Sequence, residues 1–520
     1  MSTETSKTSP ENETGPAPEE GPTTPADRRR WLALAIVMTA AFMDLVDVTI
    51  VNIAIPSMKS DLGASTSAIQ WISAGYALAF AAGLITGGRL GDIYGRKRLF
   101  LIGMTGFTAA SLLCGIAADP GMLVASRLLQ GSMAALMVPQ VLAIIHVTFP
   151  PQERGKVFGL FGAIIGLGAV MGPLLGALLT EWNLFGLEWR PIFLINLPVG
   201  IAGVILGRKF IAESKAPKAL RLDLAGVVLA TLAMVMLIYP LTQGRENDWP
   251  LWGFLCMGAV PFVIAGFIAF EKYKTRKDGS PLVELSLFKI KSFAGGIAVQ
   301  VTFGIASGIF FMVWTLMMQM GLGWGALKSG LTGIPFSLAV SVSAGMSVQK
   351  LVPRFGRKVL QAGALIMAAG LLFYIWESQH YGMAITPWQM IAPLVLLGIG
   401  MGLIVAPLTD AVLSEVPRED AGSASGLINT TQQMGNALGL GLTSVVYFGV
   451  IDDEMVLGEQ YVEAFRFAMW WVIAVMVVIF AVMYALPRRQ IVTGVGHEAE
   501  AGAAAEPGAA GPALEKTPVA

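Results

Sequence analysis

The chain has 520 residues, of which 55% are hydrophobic and only 13% are charged. Soluble globular proteins carry about 25% charged residues, so this composition argues against an average soluble enzyme. The 35 basic and 35 acidic residues balance, which leaves no basic surface for nucleic acid. Both cysteines, Cys114 and Cys256, lie in apolar runs. Their placement excludes a disulfide framework and a cysteine-based zinc site.

Most of the sequence consists of apolar runs of about 17–25 residues, which are long enough to form helices that cross a bilayer. Residues 1–30 and 487–520 lack this pattern and are predicted to be disordered cytoplasmic tails. We therefore predict an all-α polytopic membrane protein with fourteen transmembrane helices. The predicted spans are 31–55, 68–88, 99–118, 121–146, 157–179, 191–210, 222–241, 251–270, 293–319, 327–349, 359–376, 387–408, 424–449 and 464–486.

The basic residues predict the orientation, because cytoplasmic loops of membrane proteins carry an excess of Lys and Arg. With both termini inside, most of the 35 basic residues fall in cytoplasmic segments. We therefore predict a multi-pass protein of the cytoplasmic membrane with both termini in the cytoplasm. The predicted outer segments hold only Lys59, Arg190, Arg245, Lys328 and Arg466.

An internal repeat divides the chain into two halves. The loop after the second span reads GRLGDIYGRK over 88–97, and the loop after the tenth reads LVPRFGRK over 351–358. Two halves related by repetition are a transporter architecture, although short basic loops also resemble one another by chance. The predicted organisation is an N-terminal six-helix half over 31–211, a linker with two inserted helices over 212–291, and a C-terminal six-helix half over 292–486.

Five motifs, in the right order, resemble the major facilitator superfamily and specifically its fourteen-span drug:proton antiporter family. Three positions depart from the family pattern: Pro353 replaces the acid of the second signature loop, Ala177 replaces a glycine and Pro191 replaces an aromatic residue. The matching segments are the first-span motif 47–56, the signature loop 88–98, the fourth-span motif 127–131, the antiporter motif Gly168, Gly172, Pro173 and Gly176, and the start of span six at 189–198.

Three ionisable residues, Asp44, Asp47 and Arg127, lie deep inside predicted spans. Such groups are costly in a bilayer and are functional candidates by default. At 1.5 Å per residue, Asp47 and Arg127 lie about 12 Å and about 9 Å from the same membrane surface, so they can pair if their helices face each other. We predict that protonation of Asp47 releases Arg127 and so couples transport to protons. The alternative is a permanent salt bridge that only fixes packing.

Asp44 precedes Asp47 by three residues and therefore lies on a similar face of the helix. The family motif requires only Asp47, so Asp44 is particular to this sequence. Three roles remain open for it. Asp44 binds a cationic substrate, carries a second proton, or is a neutral, hydrogen-bonded acid.

The signature loop is the predicted conformational gate. Its Asp92 can accept hydrogen bonds at a helix N-terminus, and the resemblance implies that it locks one conformation by bridging to the other half. The alternative is that the basic residues of the loop only set the topology. The candidate gating residues are Gly88, Asp92, Gly95, Arg96 and Lys97.

Two further sets of residues are singled out by their spacing. The glycines of span five leave a stripe without side chains that admits a close helix, and Pro173 adds a kink. The alternative is ordinary membrane packing. Gln130, Gln432 and Asn436 are candidate pocket residues, although polar stripes of this kind are more often core contacts.

The predicted function is proton-coupled efflux of drugs or antibiotics by alternating access, with no cofactor and no metal. The predicted partners are protons, the lipid bilayer and an amphipathic or cationic small molecule, and the protein is predicted to be a monomer. One alternative is a proton-coupled carrier of an endogenous metabolite. A membrane-embedded enzyme is the other, but the three histidines are scattered and no phosphate-binding loop appears.

Overall fold

The computed structural model describes residues 25–182, 186–216, 222–244, 249–279, 281–447 and 458–486. Within these ranges every regular element is helical. The first helix begins at Pro25, so residues 25–30 belong to a helix and not to the predicted disordered tail. Helix formation extends past the apolar run because nothing in this segment stops it. The remainder of both predicted tails lies outside the described residues.

The N-terminal half consists of seven helices, because a break at Ile195 divides the predicted sixth span into two pieces. Prolines and small polar residues start several of these helices. Asp119, for example, accepts a hydrogen bond of 2.9 Å from the backbone N–H of Met122 and is followed by Pro120. The helices are α1 (Pro25–Leu62), α2 (Thr66–Tyr94), α3 (Arg96–Gly115), α4 (Pro120–Thr148), α5 (Pro151–Glu181), α6 (Pro191–Leu194) and α7 (Asn196–Phe210).

Two inserted helices, α8 (Leu224–Gln243) and α9 (Leu251–Asp278), separate this half from the C-terminal half. In the C-terminal half, π-helical turns over 317–321 and 347–351 extend α10 and α12. Its helices are α10 (Lys291–Leu316), α11 (Ala326–Thr332), α12 (Ile334–Met346), α13 (Val352–Phe355), α14 (Lys358–Tyr381), α15 (Pro387–Ser414), α16 (Ala421–Val446) and α17 (Glu459–Val482).

Thirteen helical segments in the described ranges are long and apolar enough to cross a membrane. The helix α16 completes the predicted fourteen. It is 26 residues long, and its polar side chains include Asn429, Gln432 and Asn436. It packs against α10 of its own half and against α2 and α4 of the other half. Because α16 is surrounded by protein, it can hold polar residues that a lipid-exposed helix could not.

The two halves meet along α2 and α16 and along α5, α12 and α15. The first contact is made at the end of the bundle where α2 ends and α16 begins, which we call the Asp92 end. There, Gly88 lies against Gly422 and Gly426, and the position that a Cβ of Gly88 would take is 3.1 Å from the Cα of Gly426. The backbones approach this closely only because these three residues lack side chains.

We predict that Gly88→Ala weakens the closed contact between α2 and α16, because the added methyl group clashes with the carbonyl oxygen of Gly422. Overpacking of this kind typically costs about 1–3 kcal/mol. The thermal unfolding midpoint of the purified protein in detergent should fall. Gly258→Ala in α9 is the matched control, because nothing lies within 4 Å of its Cβ position. Equal midpoints for the two variants would contradict the packing argument.

Candidate functional site

A buried ion pair links α1 to α4 inside the N-terminal half. Arg127 Nη1 lies 2.5 Å from Asp47 Oδ2, and both side chains are almost completely buried. Asp47 and Arg127, which the sequence placed at similar depths in the membrane, are thus in direct contact. Removing two charges from water is costly, and the pair persists only if further hydrogen bonds satisfy the remaining polar atoms.

Neutral polar groups from three helices supply those hydrogen bonds around Asp47. Its Oδ1 accepts from Gln130 Nε2 and from Asn196 Nδ2, both at 2.8 Å. Gln130 Oε1 in turn accepts from Arg127 at 2.6 Å, and Gln130 Nε2 also contacts Ser111 Oγ at 2.8 Å. The Asp47 carboxylate therefore receives donors on both oxygens, and only one of these donors is charged.

The guanidinium of Arg127 is held on its other side by backbone and aromatic groups. Its Nε donates to the carbonyl oxygen of Ile72 at 3.0 Å. Its central carbon lies 4.2 Å from the ring centroid of Tyr76 and 5.7 Å from that of Phe193. Stacking on aromatic faces stabilises a desolvated cation.

Asp44 lies one helical turn from Asp47 and is also buried, with 5% of its surface exposed. The hydroxyl of Tyr76 donates to Asp44 Oδ1 at 2.5 Å. The same Tyr76 ring stacks on Arg127, so this tyrosine is a physical link between Asp44 and the ion pair. None of the described residues forms a salt bridge with Asp44.

Sequence reasoning missed three members of this network: Tyr76, Ser111 and Asn196. Asn196 carried a signal, because it is a polar residue within an apolar span and belongs to the motif at the start of span six. Tyr76 and Ser111 carried none, since single hydroxyl groups are common in membrane helices. The structure also buries Gln130 completely within the network, so this residue does not line an open pocket as predicted.

The signature loop forms a second site at the Asp92 end. The Asp92 carboxylate accepts from Arg96 Nη2 at 2.6 Å and from the backbone N–H groups of Gly422 and Ser423 at 3.0 and 2.8 Å. These two N–H groups belong to the first turn of α16, where the helix dipole favours an anion. Arg96 also donates to the carbonyl oxygen of Arg418 at 2.7 Å. Asp92 and Arg96 therefore join the two halves.

Two further residues of the loop, Gly95 and Lys97, contact the segment that follows α7. Gly95 adopts a φ of 109°, which disfavours residues with a side chain, and its Cβ position is blocked by Glu213. Glu213 Oε1 accepts from the backbone N–H of Lys97 at 3.1 Å. The ammonium of Lys97 donates to the carbonyl oxygen of Arg208 at the end of α7. Gly95 and Lys97 thus anchor the loop to the segment after α7.

The glycines of α5 lie on two faces. Gly168 and Gly172 of the predicted antiporter motif face α1, at Leu45 and Thr49. The earlier glycines, of which Gly166 is one, face α12 of the other half. Pro173 contacts α11, where it lies 3.3 Å from the Cβ position of Gly330, and Gly176 is buried. The stripe that the sequence predicted to admit one close helix therefore admits two.

The two pocket candidates of α16 face α10. Gln432 accepts a hydrogen bond from the side chain of Gln300 on α10, and Asn436 packs against Gly304 and Gly308. Both residues are half-buried. The Asn436 side-chain oxygen is buried and has no hydrogen-bond donor among the described residues.

Comparison with known proteins identifies the family. The sequence profile described as Major Facilitator Superfamily matches residues 37–440. The chain belongs to the Major Facilitator Superfamily. The prediction of the family is thereby confirmed, and so is the predicted all-helical architecture of two halves with an inserted pair.

Several relatives within this superfamily are named for antibiotics. A probable actinorhodin transporter of Streptomyces coelicolor is 42% identical over 445 residues, which cover 85% of this chain and 77% of that protein. A puromycin resistance protein of Streptomyces alboniger is 34% identical, with 81% and 83% covered. Among solved structures, a human organic anion transporter has a TM-score of 0.62 at 15% identity, over 88% of this chain and 100% of that one. The latter similarity shows the fold alone.

The second copy of the superfamily's signature loop differs physically from the first. The position equivalent to Asp92 is Pro353, which is exposed and offers no carboxylate. Arg357, the equivalent of Arg96, donates instead to the backbone carbonyl oxygens of Tyr484 and Leu486, at 3.0 Å each. The second loop thus contacts the segment that follows α17, within its own half. Of the two loops, the first is the one with a described carboxylate contact between the halves.

We predict that Asp92→Asn shifts the protein towards conformations open at the Asp92 end, because the amide cannot replace a charged acceptor of three donors. Turnover should change by several-fold while substrate affinity changes little, since no pocket contact is lost. The check is to compare the transport rate with the equilibrium dissociation constant of the purified protein. Glu213→Gln, which alters a loop carboxylate within one half, is the control. An unchanged rate in Asp92→Asn would limit the loop to a role in topology.

Proposed function

We propose that this protein exports an amphipathic antibiotic-like molecule across the cytoplasmic membrane in exchange for protons, by alternating access. The observation that carries the proposal is the buried pair of Asp47 and Arg127, enclosed by neutral donors inside a major facilitator fold. The names of the relatives support export of antibiotics as the direction and the substrate class.

The arrangement around Asp47 suits a proton switch. When Asp47 is ionised, Arg127, Gln130 and Asn196 all donate to it. A proton on Asp47 removes the charge that balances Arg127, and the network must then rearrange, because an uncompensated buried cation is strongly unfavourable. Five helices contribute to the network, so this rearrangement changes how α1, α2, α3, α4 and α7 pack.

The two halves offer different surroundings to the proposed substrate, polar in the N-terminal half and apolar in the C-terminal half. The described polar network lies in the N-terminal half, whereas α10, α12, α14, α15 and α17 surround an apolar gap of about 10 Å³, which would have to widen to admit a substrate. Methionine and aromatic residues repack around varied apolar groups. The residues around this gap include Phe310, Phe311, Phe336, Met367 and Met401.

We assign the binding of the polar end of the proposed substrate to Asp44, in the N-terminal half. It is buried, it has only a neutral partner in Tyr76, and it adjoins the ion pair through that residue. A cationic group that approaches Asp44 would compete for the Tyr76 hydroxyl and so disturb the contact of Tyr76 with Arg127. Substrate binding and proton binding are coupled in this way.

The remaining parts of the proposal concern energy, location and assembly. The proton gradient drives transport, so the protein needs no cofactor and no metal, and it catalyses no chemical reaction. Both termini face the cytoplasm, as the distribution of basic residues predicts, and the Asp92 end is then cytoplasmic. The protein acts as a monomer, with the lipid bilayer, protons and the substrate as its partners and without nucleic acid.

We predict that Asp47→Asn leaves the protein in the membrane but lowers proton-driven efflux more than about tenfold, which corresponds to about 1.4 kcal/mol. The amide keeps the size of the side chain but has no charge to exchange with a proton. Efflux is measured in vesicles with an imposed pH gradient. Asp61→Asn is the matched control.

Asp61 lies outside the spans, where hydrogen bonds from Trp189 and Arg190 lower the pKa of its carboxyl group. It therefore stays ionised over the physiological range and should not affect coupling. Proton-driven efflux at the wild-type rate in well-expressed Asp47→Asn would remove Asp47 from the mechanism.

We predict that Asp44→Asn reduces efflux of cationic compounds and spares neutral ones. A contact between unit charges at 4 Å is worth about 4 kcal/mol at an effective dielectric constant of about 20. Loss of the charge should therefore raise the concentration of cationic substrate needed for half-maximal transport at least about tenfold. A panel of cationic and neutral drugs in a host without its own pumps gives the measurement. Equal losses for both classes would instead make Asp44 a second proton site, and no loss would make it a packing residue.

A further inference from the structure

The inserted helices lie across the boundary between the two halves. Helix α8 packs against α2 of the N-terminal half and against α16 of the C-terminal half, and α9 packs against α8. The contact of α2 with α16 contains the hydrogen bonds from Gly422 and Ser423 to Asp92, which we call the Asp92 lock. The inserted pair therefore borders the surface that must separate when these hydrogen bonds break. The proposed export mechanism assigns no role to this pair.

Two carboxyl groups hold the Asp92 end of the inserted pair together. Asp223 precedes α8, and its Oδ1 accepts from the backbone N–H of Gly226 at 3.1 Å. Glu271 lies near the end of α9, and its Oε2 accepts from the backbone N–H of Val283 at 3.1 Å. Both side chains are more than nine-tenths buried. Each carboxyl group therefore uses one oxygen for a structural hydrogen bond.

The other two oxygens converge on one point. Glu271 Oε1 and Asp223 Oδ2 lie 2.5 and 2.8 Å from the position that a Cβ of Gly226 would take. Both atoms are buried, and neither has a hydrogen-bond donor in the described part of the chain. A glycine is required at position 226, because any side chain would occupy the space between the two carboxyl groups.

A buried cation, Arg89, lies near the pair, and its Nε and Nη1 have no hydrogen-bond partner among the described residues. Arg89 on α2 exerts a favourable electrostatic effect on Glu271, but its Nη1 lies 3.9 Å from Asp420, and no described salt bridge joins it to Asp223 or Glu271. Asp420 and Glu284 face a crevice of about 310 Å³ beside Arg89. Burial raises the pKa of the Asp420 carboxyl group to about 6, and Asp420 and Glu284 add further acids to the surroundings of the pair.

Two buried carboxyl groups whose free oxygens face each other cannot both be ionised without a cation between them. A single proton on either carboxyl group removes one of the two charges and so relieves the repulsion between them. We propose that Asp223 and Glu271 bind one proton between them, and that this shared proton fastens α8 to α9 at the Asp92 end.

A chain of contacts connects the proposed proton site to the Asp92 lock. Glu271 holds the backbone of Val283, and the neighbouring Leu282 carbonyl lies 3.4 Å from Ser423 Oγ. The backbone N–H of Ser423 donates to Asp92. Loss of the proton would leave two like charges close together in a buried site, separate α8 from α9 and displace the 282–283 segment that contacts the start of α16.

Infrared difference spectroscopy of the purified full-length protein in detergent at pH 7 tests the proposal, because the C=O stretch of a protonated carboxyl is distinct from that of a carboxylate. Glu271→Gln should lose the intensity of one protonated carboxyl group. Asp223→Asn should lose the same intensity, although it leaves Glu271 in place, because the introduced amide keeps the helix cap and donates permanently to Glu271. Glu284→Gln is the control and should lose none.

Three results would overturn the proposal. Unchanged spectra in both variants would mean that the pair holds no proton. Persistence of the band in Asp223→Asn alone would mean that Glu271 is protonated independently. Loss of the wild-type band on addition of Na⁺ or K⁺ at constant pH would assign the site to a metal ion. The measurement requires no transport, so its outcome is independent of the proposed export function, and Asp223→Asn decides the question by itself if Glu271→Gln does not fold.

Discussion

The N-terminal half is organised around the need to hold one buried guanidinium. Arg127 lies inside the bundle with almost no exposed surface, and α1, α2, α3, α4, α6 and α7 all contribute to its surroundings, directly or through Asp47 and Gln130. A buried charge without partners is far more costly than the net stability of most proteins. The positions of Asp47, Gln130 and Asn196 follow from this constraint. In the export mechanism that we propose, the same constraint makes the site responsive, because a single proton on Asp47 would change the partner on which the whole network depends.

A second constraint acts where the halves meet. Alternating access requires that two helices pack closely and yet separate, so their contact cannot rest on large interlocking apolar side chains. At the Asp92 end the contact consists of bare backbone at Gly88, Gly422 and Gly426, with Asp92 placed at the N-terminus of α16. Hydrogen bonds to the backbone N–H groups of a helix N-terminus can be exchanged for water when the helices separate, whereas a packed core cannot be separated at low cost. Pro353 removes the equivalent carboxylate from the second loop, so the two repeats are alike in fold and unlike in their role at the boundary.

The inserted helices add a third polar cluster, Asp223 and Glu271, to the clusters around Asp47 and Asp92. Asp223 and Glu271 lie at the same end as Asp92, and the segment 282–283 connects them to the start of α16. The described protein thus has acids at two depths: Asp44 and Asp47 inside the N-terminal half, and Asp92, Asp223, Glu271 and Asp420 near the Asp92 end. Acids at different depths can exchange protons with different compartments, which is a physical requirement for coupling to a gradient.

The sequence by itself determined the helical spans, the two-half architecture and the family, because the length of an apolar run and the order of motifs are local properties. It also indicated that Asp47 and Arg127 could meet, since rise per residue fixes depth. The sequence did not determine the start of α1 at Pro25, the break at Ile195 or the burial of Gln130. Only the tertiary structure decided which polar groups converge, as Tyr76 and Ser111 do around the ion pair and Asp223 and Glu271 do over Gly226. The physical reason is that helical periodicity fixes the face on which a residue lies, whereas the neighbour of that face depends on how separate helices cross.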